Sequence, residues 1–275
     1  MADQERAFSF LRINERQGKP RQVGLTEIRG PYYTLMGKRY LQDVLETMGE
    51  WVDALKFAGG SFSLMPRAAV RDIIDTCHQH QVLVSTGGFI EYVLTQGKEA
   101  VDRYLGECQA LGFDIIEISS GFITVPPADL VRLTRKVQQL GLKAKPEIGI
   151  QFGAGGASAI AELEAEGVLD PARAIDLGKR QLDAGAYLLM IESEGITEQV
   201  ATWRTDVATR IADELGLDKV MFEAAEPDVF AWYIKSFGPE VNLFVDHSQI
   251  VQLESLRAGI WGTKSLWGRV LTYKG

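Results

Sequence analysis

Short apolar runs recur along the chain, separated by longer segments whose apolar positions fall at helical spacing. Four of the runs break off at a glutamate: Asp114-Ile-Ile-Glu117, Lys145-Pro-Glu147, Leu188-Leu-Met-Ile-Glu192 and Val220-Met-Phe-Glu223. Their spacing, roughly 30 to 45 residues, is about what one strand, one helix and two loops consume in an α/β repeat. If the strands are parallel, the four carboxylates share one end of the sheet.

Punctuation between the runs supports the same reading. Glycine falls between a helical segment and the following strand at Gly49, Gly112, Gly141, Gly185, Gly216 and Gly238, and glycine ends helices at little cost. Pro66, Pro127, Pro171 and Pro227 stand where helices should start. These marks predict strands over Gly24–Ile28, Val52–Phe57, Val82–Ser85, Ile115–Ser119, Lys143–Ile148, Leu188–Ile191, Val220–Glu223 and Asn242–Val245. The intervening helices are predicted around Leu41–Met48, Ala68–His80, Lys98–Leu111, Ala128–Leu140, Ala172–Ala184, Gln199–Leu215, Asp228–Phe237 and Gln249–Arg257. Eight strand-helix units in 275 residues is the arithmetic of an α/β (β/α)8 TIM barrel. An open doubly wound sheet is the structural alternative. No linker divides the chain, so a single domain is expected over 1–275, with 1–20 as an N-terminal extension and 258–275 as a C-terminal tail.

Composition narrows the class. The chain is 46% hydrophobic and 24% charged, which is neither disordered nor membranous. Apolar stretches are only strand-length and the opening Met1 to Lys19 is too charged for a signal peptide, so a cytoplasmic protein without membrane partners is expected. A net charge of -8 argues against nucleic acid, which needs a basic stripe. Cys77 and Cys108 lack any paired spacing and read as buried thiols rather than a zinc site or disulfide.

In such a barrel the carboxyl ends of the strands build the active site. Here they supply Thr26 and Arg29, Lys56, Ser85 and Thr86, Glu117 and Ser119, Lys145 and Glu147, Glu192 and Glu194, Glu223, and Asp246 with His247. So many carboxylates at one mouth need compensation: two like charges about 4 Å apart repel by about 4 kcal/mol at an effective dielectric of 20. A hard divalent cation such as magnesium would supply it, with Glu117, Glu147 and Glu192 as expected ligands and Glu223 as a fourth or supporting group. A Glu/Lys salt-bridge ring is the alternative. Glycine-rich loops containing Gly87 and Gly88, and Gln151 and Gly153, could cradle a phosphate or carboxylate through backbone N–H groups. His247 beside Asp246 is either an acid/base or a hydrogen-bonded rim residue.

Lys56-Phe-Ala-Gly-Gly-Ser, Ser85-Thr-Gly-Gly-Phe-Ile-Glu91, Gly112-Phe-Asp-Ile-Ile-Glu-Ile-Ser119, Pro146-Glu-Ile-Gly149, Phe222-Glu-Ala224 and Leu253-Glu-Ser-Leu-Arg257 together resemble the phosphosulfolactate synthase family, across nearly the whole chain. The resemblance implies a (β/α)8 barrel, a Mg2+ requirement, a homo-oligomer, and addition of sulfite to phosphoenolpyruvate on the route to coenzyme M or sulfolactate. Lys56 matches the family's strand-two lysine and is the expected proton donor; Lys145 is the alternative on spacing alone. Two positions depart from the archaeal synthases: Gln151 and Glu194 stand where those enzymes carry a lysine and an arginine. Arg29, Lys145 and Arg204 could restore the lost positive charge. Ile28-Arg-Gly-Pro-Tyr-Tyr33 and the Val245–Glu254 segment resemble a second branch containing plant heat-stress-associated proteins and bacterial relatives. A same-fold enzyme on another phosphorylated or carboxylate substrate, or a non-catalytic stress-associated barrel, are therefore the competing expectations.

Overall fold

A computed structural model describes residues 6–150, 170–261, 268 and 270–273. Eight parallel strands close into a barrel in sequence order: β1 (Thr26–Arg29), β2 (Ala54–Lys56), β3 (Leu83–Ser85), β4 (Ile115–Ile118), β5 (Lys143–Ile148), β6 (Leu189–Ile191), β7 (Val220–Glu223) and β8 (Asn242–Asp246). The strand β8 pairs back onto β1, with Arg29 level with Asp246 on one side and with Lys56 of β2 on the other. The open-sheet alternative is excluded by this closure.

Helices alternate with the strands: α1 (Lys38–Met48), α2 (Arg67–Gln79), α3 (Ile90–Leu94), α4 (Lys98–Leu111), α5 (Pro127–Gln139), α6 (Ala172–Asp183), α7 (Thr205–Leu215), α8 (Pro227–Phe237) and α9 (Ile250–Arg257). Pro127 and Pro227 occupy the first turns of α5 and α8, where a missing N–H costs nothing. Five of the six predicted stop glycines (Gly112, Gly141, Gly185, Gly216 and Gly238) adopt positive φ. Gly49 does not: its φ of -59° carries α1 straight into a 3₁₀ turn over Gly49–Trp51. Helix α7 starts at Thr205 rather than near Gln199, because the chain after β6 first turns tightly on itself. The carbonyl of Ser193 accepts from the N–H groups of Ile196, Thr197 and Glu198, and Gln199 has φ +56°.

Strand alternation sorts side chains between two environments. Ile28, Leu55, Val84, Ile116, Ile118, Ala144, Ile148, Leu189, Ile191, Val220, Phe222, Leu243 and Val245 point outward into the core shared with the helices. The opposite parity points into the barrel. There Leu25, Leu188, Met190, Met221 and Phe244 form a small apolar layer, and above them the inward row becomes charged.

The N-terminal segment straps the end of the barrel opposite the strand carboxyl ends. Arg16 pairs with Glu254 of α9 and with the carbonyl of Gly24, while Arg21 pairs with Glu50 and Asp53. Both guanidinium groups lie over the ring of Trp51. Asn14 donates to the carbonyls of Arg257 and Val270, tying these N- and C-terminal segments to one face. Among the described residues no helix is long and apolar enough to cross a membrane.

Candidate active site

A cleft of about 630 Å³ opens at the carboxyl ends of the strands. Its floor holds Arg29, Lys56, Glu117, Glu147, Glu192 and Glu223, delivered by β1, β2, β4, β5, the end of β6 and β7. The expectation of glutamates from successive strands at one mouth therefore corresponds to a real cluster, but its members play different parts.

Glu117 is fully buried, and both of its oxygens face ammonium groups: Lys56 Nζ lies 2.9 Å from Oε1 and Lys145 Nζ 3.1 Å from Oε2. Burial alone would push the Glu117 carboxyl up, but the two lysines outweigh it and hold the group below the ordinary range. Lys145 also pairs with Glu27 of β1, deeper in the barrel. Lys56 reaches from Glu117 toward Glu147, 3.8 Å away. Burial works against its charge, yet Glu117 and Glu147, then Glu223 and Glu27, prevail and hold the ammonium well above the ordinary lysine range. An alternating chain of charge, Glu27, Lys145, Glu117, Lys56 and Glu147, thus runs along the barrel interior to its mouth. Phe244 floors it, with Arg29 and Lys56 both stacked over its ring, 4.9 and 4.3 Å from the centroid.

The remaining acids have less cover, each facing at most one cation. Arg29 donates to Glu223 at 2.6 Å. Glu147 is pushed up to about 8 by burial and by the neighbouring charges of Glu117 and Glu223, against the pull of Lys56. Burial, Glu223 and Glu147 push Glu192 well above the carboxylate range, and Glu192 hydrogen-bonds to Glu223. Glu147 and Glu192, adjacent and both pushed toward their protonated forms, are the floor acids with least positive charge beside them. Glu147, Glu192 and Glu223 supply the kind of oxygen donors that a hard divalent ion keeping several of its waters prefers. Among the described residues, however, no three His, Cys, Asp or Glu side chains are placed to hold a metal ion together as they stand. Glu117, expected as a ligand, has both oxygens turned to lysines.

Other sequence candidates are distributed around this cluster. Ser85 and Thr86 are buried, and the Thr86 hydroxyl accepts from the backbone N–H of Glu117, so these residues brace the floor. Gly87 has φ +60°, and a Cβ there would sit 2.3 Å from the Phe57 carbonyl oxygen. Gly88 and Ser119 line the cleft. Lys145 does not: it lies below the floor, 1% exposed, beside a small cavity with Glu27 and Asp53 at its wall. Glu194 is buried in the turn after β6, and it is Glu198 that this turn brings to the cleft. Arg204 pairs with Asp206 at the start of α7, away from the floor. Asp246 accepts from Ser248 and caps the turn before α9, and His247 Nδ1 lies 3.1 Å from the Arg29 carbonyl oxygen. Both border a separate hollow with Tyr33 and Tyr40. Gln151 and Gly153 fall outside the described residues.

Several cleft residues were not singled out by sequence reasoning. Glu91, Glu198 and an aromatic rim of Tyr32, Tyr33, Tyr92 and Phe122 all line the cleft. Strand parity could have exposed Glu27, two residues before Arg29 on the same face. Nothing in the pattern marks Glu198, which reaches the cleft only through the turn at Ser193.

A sequence model of (2R)-phospho-3-sulfolactate synthase (ComA) matches residues 14–263. The chain belongs to the phosphosulfolactate synthase family. Among curated relatives, Protein HEAT-STRESS-ASSOCIATED 32 of Arabidopsis thaliana is 39% identical over 94% of this chain and 93% of its own length. The phosphosulfolactate synthase of Methanothermobacter thermautotrophicus is 27% identical over 93% of this chain and 96% of its own. That of Bacillus subtilis is 24% identical over 91% and 95%. Solved structures share the fold at low identity. The carboxyl transferase domain of Rhizobium etli pyruvate carboxylase aligns with a TM-score of 0.57 and 11% identity over 82% of this chain, which spans only 40% of the length of that one. This family member thus shares near-complete length with relatives named as synthases and with one named for heat stress.

Proposed function

We propose that the chain is a phosphosulfolactate synthase-like lyase that adds sulfite to phosphoenolpyruvate with the help of Mg2+. The observation that carries this reading is Lys56: a cationic ammonium on the cleft floor, fixed between Glu117 and Glu147. Sulfite sulfur would bond to the methylene carbon of phosphoenolpyruvate while the double-bond pair moves toward the substrate carboxylate. A proton must then reach the neighbouring carbon. Lys56 is the group placed to donate it from Nζ, a contribution typically worth about 10²- to 10⁴-fold. Glu117 orients that ammonium, and Lys145 holds Glu117 from below. Arg29, pinned by Glu223, offers its guanidinium to a substrate anion. Glu147, Glu192 and Glu223 would be the residues to hold magnesium, which would supply Lewis-acid charge to offset the negative charge gathering on the substrate. Purified protein should consume phosphoenolpyruvate only when sulfite and magnesium are both present; absence of turnover under those conditions overturns the reading.

One observation favours a second reading, the same site acting on another phosphorylated or carboxylate substrate. The described cleft presents six carboxylates, Glu91, Glu117, Glu147, Glu192, Glu198 and Glu223, against the two cations Arg29 and Lys56. That balance is acidic for two anionic substrates. A thermal-shift screen of phospho-acids and simple carboxylates with magnesium separates the two readings: preferential stabilisation by a compound other than phosphoenolpyruvate supports the second.

A further inference from the structure

Glu91 is an acid that the proposed chemistry does not use. It lies in the first turn of α3, is 6% exposed, and faces the same cleft as the catalytic floor. Its carboxylate is nonetheless fully engaged. Oε1 accepts from the Ser119 hydroxyl at 2.6 Å and from the Gly121 N–H at 3.0 Å. Oε2 accepts from the N–H groups of Phe122 at 2.7 Å and Ile123 at 3.2 Å. Three backbone N–H groups that converge from successive residues form an anion nest, and here the anion comes from the protein itself.

The loop so held is not remote from the site. It leaves β4 after Ile118, one residue beyond Glu117, and Phe122 and Ile123 form part of the cleft wall. Phe122 is 71% exposed, so apolar burial does little to fix it. The opposite side of the contact is rigid by comparison. Helix α3 is anchored by Phe89, whose ring packs edge-on against Phe62 at 5.2 Å, and Gly88 leaves so little room that a Cβ there would lie 2.6 Å from Ser119 Oγ. The segment after β3 and the loop after β4 are therefore joined at the mouth chiefly through this carboxylate, with one longer bond from the Ser119 hydroxyl to the Gly88 carbonyl at 3.4 Å beside it.

We propose that Glu91 is a positioning residue: its carboxylate is the built-in anion of the Ser119–Ile123 nest, and by filling it Glu91 holds Phe122 and Ile123 as the wall against which substrate is seated. This rests on the cleft being the substrate site. Because the nest is satisfied internally, its N–H groups are not spent on the substrate's phosphate, which falls to Arg29 and Lys56 instead. Glu91 makes no hydrogen bond or ion pair to Lys56 and adds only the weakest of the charge effects on Glu147, so on removing the carboxylate, substrate affinity should suffer more than the chemical step.

The test uses full-length Glu91→Ala and Glu91→Gln with two readouts: hydrogen exchange at the amides of residues 121–123, and kcat and KM for phosphoenolpyruvate. Glu91→Ala should lose protection at those amides and raise KM by about tenfold or more with kcat changed by less than about threefold. Millimolar formate, a free carboxylate that can refill the nest, should restore both. Glu91→Gln keeps one oxygen but turns an NH₂ toward a donor, so it should lose part of the protection and not respond to formate. Wild-type exchange and KM in Glu91→Ala, or protection and KM that do not recover with formate while the variant stays folded by circular dichroism, would overturn the proposal. If the wild type turns over no phosphoenolpyruvate, the functional reading fails on its own, and exchange with formate rescue still decides the role of Glu91 in the nest.

Discussion

Lys56 and Glu117 meet 2.9 Å apart on the floor of the barrel mouth, a contact between neighbours in space whose strands, β2 and β4, are not hydrogen-bonded to each other. It joins the proposed proton donor to the buried ion pairs beneath, and it frames the first prediction. Replacing Lys56 with Met should lower turnover by at least about 10²-fold while magnesium still raises the melting temperature, since Glu147, Glu192 and Glu223 remain. Steady-state kinetics and thermal shift on the same sample check both halves.

Lys145 should behave differently. Its substitution by Met leaves Glu27 without its lysine and Glu117 with only Lys56. Breaking a buried pair by removing one partner costs about 3–5 kcal/mol. Urea unfolding should show that loss, and Glu27→Gln combined with Lys145→Met should recover part of it, because the stranded carboxylate is gone. An additive double variant would contradict the pairing.

The proton held by Glu147 gives the protein a pH signature. Burial and the charge of Glu117 push its carboxyl up to about 8, from an ordinary glutamate value of 4.5. Between those limits the folded state binds more protons than the unfolded chain, so stability falls as pH rises through the window. Glu192 acts in the same direction. In the absence of divalent metal the wild type should therefore lose on the order of a few kcal/mol between about pH 5 and pH 8. Glu147→Gln should flatten the slope, and magnesium should do so in the wild type by taking the proton's place. Melting temperatures across that range decide it.

Gly87 and Gly141 both have positive φ, but only Gly87 is crowded: a Cβ meets the Phe57 carbonyl oxygen at 2.3 Å, whereas nothing lies within 4 Å at Gly141. Gly141→Ala should cost about 1–2 kcal/mol for the left-handed backbone alone. Gly87→Ala must also displace backbone under the cleft, and should cost more than about 3 kcal/mol. Chemical denaturation of the two variants gives the comparison.

Much of the fold was legible because glycine and proline punctuate the chain and because strand parity is strict. The positive-φ glycines mark helix ends, and the parity that puts Glu117, Glu147, Glu192 and Glu223 inward is the same one that sends Ile116, Ile148, Ile191 and Phe222 outward. Parity stopped being informative where strands stopped. Glu194 shares the parity of Glu192, but β6 ends at Ile191 and the turn at Ser193 carries Glu194 into the interior of the loop and brings Glu198 round to the cleft. Lys145 has the right parity and the wrong depth: β5 runs on to Ile148, so Lys145 lies a layer below Glu147. Glu91 escaped because its partners are backbone N–H groups of a loop, which no side-chain pattern announces.

The strap formed by Asn14, Arg16 and Arg21 fixes the segments around Asn14 and Val270 to the face of the barrel opposite the cleft. A fluorescent label or an immobilising linker attached at a cysteine introduced beside Asn14 therefore sits on the face away from the mouth and leaves the cleft open. Turnover and ligand binding measured on such attached protein should match those of the free chain.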